Sequence, residues 1–462
     1  MEKRDETLLK EKTKKLSIIE GGFYGVYDGA GARYIAPFAL AIGKDNPYIN
    51  TFIAILHSVP SLVGNFSQLF TNRIMNKYKR KNLLSFFIII QSIIWFGIIA
   101  SGLFSNKLNS NFSLTILIIF YTLSVSFGSF VSPVWASLMK DIVNFKRGSY
   151  FSKRNIISGS VSLISSLIAG FFLDKAGFSN IFVSFTILFL FAFIFRFLSG
   201  ILFIYHYEPK FKIDNSKYFN FLDFINKYRK SNFVKFSLFI SLFMLAVSLS
   251  SPFFIVYMIN ELKFNYLTWT IISVSGALSS LFFMPFWGKF IDEYGSLKTL
   301  KITGIFASII PLLWMMSYYI DFNSANIIIF LIILEIFAGC MWAGFNLSYS
   351  NFIFDAVTLE KTHLCSAYFN ILYAVGIFLG SMIGSTILSL KIKLFFISPI
   401  FFIFFVSGIS RLLAYFIMIP KINEVRDVKN ISVEKAFRKL FRYNLKPFMY
   451  LFHFEIIKLN SD

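Results

Sequence analysis

Residues 179–205 read SNIFVSFTILFLFAFIFRFLSGILFIY, and Arg196 is the one charged residue among their apolar and aromatic side chains. A helix needs about 20 mostly apolar residues to cross the hydrocarbon core of a bilayer. It also satisfies its backbone hydrogen bonds internally, which lipid requires of any spanning segment. We therefore predict that this stretch is a membrane-spanning helix.

Stretches of the same kind recur along the whole chain. Of the 462 residues, 56% are hydrophobic and 15% are charged, whereas a soluble domain carries about 25% charged residues. So much apolar sequence exceeds what one soluble core can bury. We predict an all-α integral membrane protein with about twelve transmembrane helices, at 17–42, 48–70, 83–104, 112–138, 155–174, 179–205, 233–259, 265–290, 299–320, 326–354, 363–390 and 394–419.

The net charge of +21 is concentrated in every second connection between these helices. We call this side of the protein the basic end, and the other side the opposite end. By the positive-inside rule the basic end faces the cytoplasm. The sequence thus predicts a multi-pass protein of the cytoplasmic (plasma) membrane with both termini cytoplasmic, and lipid rather than nucleic acid as the partner of its basic residues.

The chain also contains an internal repeat. Pro37, Asp141, Asn155 and Arg196 recur as Pro252, Asp355, Asn370 and Arg411, at offsets of 214 or 215 (355 − 141 = 214; 252 − 37 = 215). A near-constant offset indicates two pseudo-symmetric six-helix bundles, a plan in which the binding site lies between the bundles near the midplane. The predicted organisation is an N-terminal cytoplasmic segment (1–16), two bundles (17–205 and 233–419), a linker (206–232) and a basic amphipathic cytoplasmic tail (420–462).

The connection after the eighth helix reads Gly288-Lys-Phe-Ile-Asp292-Glu-Tyr-Gly295-Ser-Leu-Lys298. It resembles the signature loop of the major facilitator superfamily, Gly-x-x-x-Asp-x-x-Gly-x-x-Lys. Gly288 would permit close helix approach and Gly295 a tight turn. The resemblance implies that Asp292 contacts the start of the fifth helix, at Lys153, Arg154 and Asn155, as a latch between the bundles. An ordinary solvated turn is the alternative, and residues 71–81 of the first bundle have lost both glycines and the aspartate.

Charged residues inside the predicted helices each need an explanation, because one costs roughly 2.5–3.5 kcal/mol at the bilayer centre. Asp28 shares a helical face with Tyr24 and Tyr27, and Glu335 lies in the tenth helix. A carboxyl in an apolar setting binds a proton more readily than in water. We predict Asp28 or Glu335 as the proton-coupling or substrate-binding group. The alternatives are a structural ion pair with Arg33, or an Arg33 that holds an anionic substrate.

Other polar side chains have simpler predicted roles. Glu20 is expected to be solvated near the membrane surface, and Arg196 and Arg411 to extend to the interface. His57 could titrate, but we expect a hydrogen-bonded structural histidine. A further set could line a cavity or form interhelical hydrogen bonds, namely Trp342, Asn346, Asn65, Gln68, Gln91 and Asn370.

Together these features predict a secondary active transporter that moves a small solute by alternating access, with protons as the coupling ion. A lipid or glycolipid flippase and an uncoupled facilitator are the alternatives on the same fold. No His-Glu-x-x-His and no Gly-x-x-x-x-Gly-Lys-Ser/Thr occurs, so the sequence indicates neither a zinc enzyme nor an ATPase. The two cysteines, Cys340 and Cys365, give no metal-ligand spacing. We expect no cofactor, no metal and a monomer.

Overall fold

The computed structural model describes residues 2–75, 77–105, 109–143, 147–176, 180–209, 221–226, 231–320, 325–357, 362–392 and 398–428. The predicted amphipathic tail beyond 428 and most of the predicted linker lie outside these residues. In the described part the secondary structure is helical throughout.

Twelve long helical elements follow one another along the chain. The first, α1, covers residues 2–42 and is broken: a helix at Glu2–Val26, a π-helical turn at Tyr27–Gly31, a 3-10 turn at Ala32–Tyr34 and a helix at Ile35–Ile42. Eleven further elements are long and apolar enough to span a membrane: α2 Ile49–Phe70, α3 Arg80–Leu103, α4 Ser110–Ile142, α5 Ser149–Lys175, α6 Ile181–Ile204, α7 Asn232–Glu261, α8 Tyr266–Tyr294, α9 Ser296–Tyr319, α10 Ala325–Ala356, α11 Cys365–Ser389 and α12 Pro399–Lys421.

The helices pack as two bundles with the same internal arrangement. In the first half, α1 packs on α5 and α6, and α3 packs on α4 and α6. In the second half, α7 packs on α11 and α12, and α9 packs on α10 and α12. The predicted six-plus-six architecture is confirmed. The halves meet through α2 with α11 and through α5 with α8.

Glycine brings α1 and α5 into backbone contact. A Cβ at Gly25 or Gly29 would overlap the backbone of Ser158 or Ser162 on α5. In the corresponding contact of the second half, the glycines lie on α11. Gly376, Gly380 and Gly384 of α11 face backbone carbonyls of α7. Close approach of these two helix pairs is thus built into both halves.

At the basic end each half is fastened by a glutamate that follows its last helix. The Glu208 carboxylate accepts a hydrogen bond from the Lys81 backbone N–H at 2.9 Å, and the Glu424 carboxylate accepts one from the Leu297 N–H at 2.7 Å. Both acceptors lie at the N-terminus of a helix, α3 or α9, where a negative charge is favoured. The glutamates therefore hold α6 to α3 and α12 to α9.

An arginine completes this fastening in each half. Arg80 is buried and contacts Glu208 at 2.9 Å and Asp141 at 2.6 Å. In the second half Arg426 lies 3.3 Å from Asp355, the repeat equivalent of Asp141. The two arginines come from different places in the sequence, so the sequence repeat did not reveal this correspondence.

The predicted latch between Asp292 and the start of α5 is not formed in this structure. The Asp292 side chain is 80% exposed and lies 3.8 Å from Arg426 of its own half. Arg154 instead pairs with Glu20 at 2.6 Å. A buried carboxylate attracts Arg154 more strongly than a solvated one does, because water screens the exposed pair. Lys298 lies in the first turn of α9.

The two glycines of the loop have different roles. Gly295 has a φ of +91° between α8 and α9, so the predicted tight turn is confirmed. A Cβ at Gly288 would lie 3.8 Å from Leu347, an ordinary contact. The expectation that Gly288 permits close helix approach is therefore wrong.

We predict that Gly295→Ala lowers the free energy of unfolding by about 1–3 kcal/mol, because an L side chain is strained at this φ and its Cβ would displace the Glu424 carboxylate. Gly288→Ala is the matched control and is expected to be neutral or more stable by up to about 1 kcal/mol, because alanine is favoured inside a helix. Thermal unfolding of the purified variants in detergent measures both. Equal losses in the two variants would contradict this account.

Candidate functional site

The breaks in α1 and α7 lie at the interface between the halves. The α1 helix is interrupted over Tyr27–Gly31 and Ala32–Tyr34, and α7 is interrupted between Ser248 and Phe253. Each break precedes one copy of the repeated Pro-Phe pair, Pro37-Phe38 or Pro252-Phe253. Broken helices at membrane depth are tolerated where the freed backbone is buried or lines a cavity.

Two cavities lie beside these breaks. The first-half cavity, about 340 Å³, is lined by residues of α1, α2 and α4 together with Pro252 and Ile255 of α7. The second-half cavity, about 480 Å³, is lined by residues of α7 to α12 together with His57 of α2. Each cavity is therefore lined by residues from both halves. Cavities of this size suit a small molecule.

His57 forms part of the wall of both cavities. Its Nδ1 lies 3.1 Å from the Ser381 hydroxyl of α11, and its Nε2 lies 3.4 Å from the Ser251 hydroxyl of α7. Both imidazole nitrogens of a first-half residue thus face the second half. The prediction of a hydrogen-bonded histidine is confirmed, and its position between the cavities was not predicted.

Three of the predicted site residues meet in the second-half cavity. Glu335, Trp342 and Asn346 of α10 all line it. Among the described residues no hydrogen-bond donor or cation pairs with the Glu335 carboxylate, and Gly276 of α8 leaves the space that this carboxylate occupies. An unpaired carboxyl in a cavity between helices is available to a proton or to a solute.

Arg33 lines the first-half cavity, next to the break in α1. Its Nε is buried and has no hydrogen-bond partner. Within the described residues neither Asp28 nor Glu335 forms an ion pair with it, so the structural pair that the sequence left open is absent. A guanidinium group without a carboxylate partner is open to an anion.

Asp28 lies outside both cavities and is held within the first half. The Ser162 hydroxyl donates a hydrogen bond of 2.7 Å to its carboxylate. Tyr24 and Tyr27, which share its helical face, turn toward Arg196, whose guanidinium lies 5.2 Å and 5.1 Å from the two ring centres. Asp28 and Tyr27 of the predicted acidic and aromatic face therefore contact α5 and α6, whereas Tyr24 is 39% exposed.

Glu20 is the centre of a buried charge network, so its predicted solvation is wrong. It is 3% exposed and pairs with Arg154 at 2.6 Å. The Ser199 hydroxyl donates to it at 2.9 Å, and Arg196 lies 3.8 Å away. The face of α1 that carries Glu20 points at α5 and α6, which periodicity alone did not reveal.

The predicted extension of Arg196 and Arg411 to the membrane surface is also wrong, since both are buried. Arg196 Nε donates to Gln91 at 2.7 Å. Arg411 Nη1 donates to the Ala307 carbonyl at 2.8 Å, and its Nη2 donates to the Ser250 hydroxyl at 3.0 Å. Acceptors within the protein therefore bind both guanidinium groups, and neither side chain extends to the membrane surface.

The remaining polar candidates divide between cavity and interface. Asn65 lines the first-half cavity, while its amide donates to the Ser61 carbonyl at 2.8 Å. Gln68 accepts a hydrogen bond of 3.4 Å from Asn370 across the halves. Both roles predicted for these polar residues, cavity lining and interhelical hydrogen bonding, thus occur in the structure.

The halves are joined most extensively at the opposite end. The Asp174 carboxylate, at the end of α5, accepts hydrogen bonds from the backbone N–H groups of Tyr266 and Leu267 at 3.1 and 2.9 Å. The hydroxyls of Ser385 and Thr51 lie 3.0 Å apart. Deeper in the interface, the Tyr34 and Thr270 hydroxyls lie 2.7 Å apart. These contacts close the opposite end of the interface.

Comparison with known proteins places the chain in a family of transporters. The sequence matches the profile of the Major Facilitator Superfamily over residues 24–381. It has no match among curated proteins.

Solved structures share the fold at low sequence identity. A variant of the nucleoside transporter NupG matches with a TM-score of 0.68 and 15% identity, over 90% of this chain and all of that one. A D-xylose-proton symporter matches with a TM-score of 0.64 and 12% identity, over 92% and 99% of the two chains. A bacterial homologue of the iron transporter ferroportin, in an inward-facing state, matches with a TM-score of 0.63 and 14% identity, over 89% and 98%.

We predict that Glu20→Gln lowers the stability strongly, because loss of one partner leaves buried arginine charge uncompensated, at a cost of roughly 3–5 kcal/mol. The control is Glu11→Gln, which removes an exposed pair with Lys14 and should cost about 0–1 kcal/mol. The thermal midpoints of both proteins in detergent give the comparison. A Glu20→Gln protein as stable as Glu11→Gln would show that the network is solvated.

Proposed function

Because this chain belongs to the Major Facilitator Superfamily, we propose that it is a proton-coupled secondary transporter, which moves a small solute across the plasma membrane by alternating access. The observation that supports this best is the pair of cavities at the helix breaks, each lined by residues from both halves. A site shared in this way is exposed to one side or the other when the halves rock about it.

The positions of the contacts between the halves indicate one access state. The opposite end is closed by the Asp174 carboxylate on the N-terminus of α8 and by Thr51 with Ser385. The basic residues favour the cytoplasm as the side that the basic end faces. We therefore infer that this state is closed toward the outside, and that transport requires these outer contacts to open.

Glu335 is the best candidate for the coupling group. It lines the second-half cavity, where a solute and a proton can both reach it, and no described residue neutralises its charge. Asp28 is instead fixed by Ser162, so it is the weaker candidate. One of the matched structures is described as a D-xylose-proton symporter, which shows that the fold accommodates proton coupling.

We predict that a disulfide across the outer contact stops transport. Thr51→Cys with Ser385→Cys, in a background without Cys340 and Cys365, joins α2 to α11, so oxidation holds the halves closed. Proteoliposomes containing a pH-sensitive dye are screened with carboxylates, amino acids, sugars and nucleosides, and the solute-dependent signal is compared before oxidation, after oxidation and after reduction.

The control pair is Asn46→Cys with Ser110→Cys, at the same end but within the first half, where the native side chains are 3.0 Å apart. Its oxidation should leave the signal intact, because the halves stay free to rock. Unchanged transport in the oxidised Thr51–Ser385 protein would argue against alternating access at this interface.

We predict that Glu335→Gln abolishes the solute-dependent pH change while solute exchange continues, because glutamine keeps the shape of the side chain and binds no proton. Glu261→Gln is the control, since Glu261 lies at the opposite end on Ser398 and outside the two cavities. If wild-type protein moves the solute without any pH change, the protein is an uncoupled facilitator. Movement of labelled lipid alone would favour the flippase.

A further inference from the structure

Five arginines of the described helices are buried or half-buried, and they fall into two classes. Arg80, Arg154 and Arg196 each lie near a carboxylate, Glu208 or Glu20, at 2.9, 2.6 and 3.8 Å. Arg33 and Arg411 form no ion pair with any described residue. Since an unmatched charge in the membrane is costly, the second class requires an explanation.

The two unmatched arginines are the two that line the cavities. Arg33 lines the first-half cavity and Arg411 lines the second-half cavity, and His57 borders both. The carboxylate-matched arginines line neither. Among these five arginines, the two without a carboxylate partner thus lie on the surface that a solute would touch.

Arg33 is the one of the two with free hydrogen-bonding capacity. Its Nε is buried and unpartnered, and it projects from the 3-10 turn at the break of α1. Arg411 already donates to the Ala307 carbonyl and to the hydroxyls of Ser250 and Ser407. Arg411 therefore contributes its charge to the cavity, whereas Arg33 can also contribute directed hydrogen bonds.

We propose that the two cavities together bind a small organic anion, whose carboxylate or phosphate oxygens accept hydrogen bonds from the Arg33 guanidinium. This inference rests on the proposed transport function and names its substrate class. The planar fork of arginine matches the geometry of either oxyanion. The anion supplies the negative charge that the protein lacks at Arg33.

The lining of the second-half cavity favours an organic rather than an inorganic anion. Trp314, Trp342, Tyr373 and Phe254 contribute aromatic surface to it. Such surface gains free energy when it covers an apolar or planar body and gains little from a hydrated ion. A solute with an oxyanion at one end and an aromatic or apolar body at the other fits both cavities.

Glu335 links anion binding to proton binding. It is the one carboxyl that lines the second-half cavity, and the titratable or charged groups around it there are His57 of α2, Tyr373 of α11 and Arg411 of α12. The cavity residues from α8 and α9 carry no charge. Protonation of Glu335 removes the negative charge that would repel the anion, so each ligand favours the other by the same factor. The affinity for the anion should therefore rise as the pH falls.

Thermal stabilisation of purified protein tests the substrate class, because a ligand raises the unfolding temperature by mass action. The probes are benzoate, phenyl phosphate, acetate, inorganic phosphate, benzylamine and glucose. We expect benzoate or phenyl phosphate to stabilise the wild type, and the comparison of the two distinguishes a carboxylate from a phosphate site. Stabilisation by benzylamine or glucose alone, or equal stabilisation by inorganic phosphate, would overturn the proposal.

The role of Arg33 is tested with Arg33→Gln and Arg33→Lys, and with Lys44→Gln as a control outside both cavities. Loss of charge-assisted hydrogen bonds should weaken binding about tenfold to a hundredfold in Arg33→Gln. Arg33→Lys keeps the charge without the fork, so we expect an intermediate loss, and Lys44→Gln should bind normally. Unchanged binding by Arg33→Gln would overturn the assignment of Arg33.

The pH dependence of binding tests the link to Glu335. Tighter binding at lower pH is expected in the wild type and should disappear in Glu335→Gln. If it persists there and disappears in His57→Gln, the link to Glu335 is wrong. These binding measurements need no transport, so they test the substrate class separately from the cross-linking experiment. Anion binding without solute movement would refute only the transport proposal. Movement of neutral solutes would refute only the proposed substrate class.

Discussion

A charge inside the membrane must find its partner within the protein, and this constraint governs the structure from its ends to its centre. Water would solvate these charges in a soluble protein, but hydrocarbon does not. At the basic end, Glu208 and Asp141 balance Arg80. Toward the centre, Glu20 balances Arg154 and lies near Arg196. At the cavities this balance is left incomplete, because Arg33 and Arg411 form no ion pair with a described residue.

The same constraint explains why the helices break where they do. A break frees backbone N–H and C=O groups, which must be buried in protein or face a cavity. In this chain α1 and α7 break beside the cavities, and α5 and α11 pack closely on them through backbone contacts at Gly29 and Gly376. The breaks therefore lie beside Arg33 and Ser251, which line the two cavities at the interface between the halves.

The fold was readily predictable from the sequence, because the requirement for long apolar helices is strong and repeated. The predicted helices differ from the observed ones by a few residues, except that α1 begins at Glu2 rather than near residue 17. Hydropathy identifies only the apolar part of this helix. The first turns are rich in charged residues, so hydropathy did not predict that the helix extends through them. The six-plus-six division followed from the offset of residues such as Arg196 and Arg411.

The partners of the polar residues were much less predictable. Glu335, Trp342 and Asn346 were identified because an intramembrane polar residue is conspicuous on its own helix, and they share a cavity. Glu20 and Arg411 were wrongly assigned to the surface, because depth in the sequence does not show which neighbouring helix a side chain faces. The Asp292 contact is not formed in this state, in which Arg154 pairs with the Glu20 carboxylate of α1 instead.

A comparison of the two halves shows how the duplicated bundles have come to differ in their buried charges. Glu20, Arg154 and Arg196 form the network of the first half, and the residues 215 positions later are Lys235, Phe369 and Arg411. The second half therefore retains the arginine of α12 but has neither the carboxylate nor the second arginine that accompany it in the first. Neutral acceptors now hold Arg411, and its charge is available to the cavity. The first half holds Glu20, Arg154 and Arg196 together through ion pairs and leaves Arg33 at its cavity without a carboxylate partner among the described residues. The second half places Arg411 and the unpaired Glu335 at its own cavity. Each half therefore contributes one unmatched arginine to the proposed site.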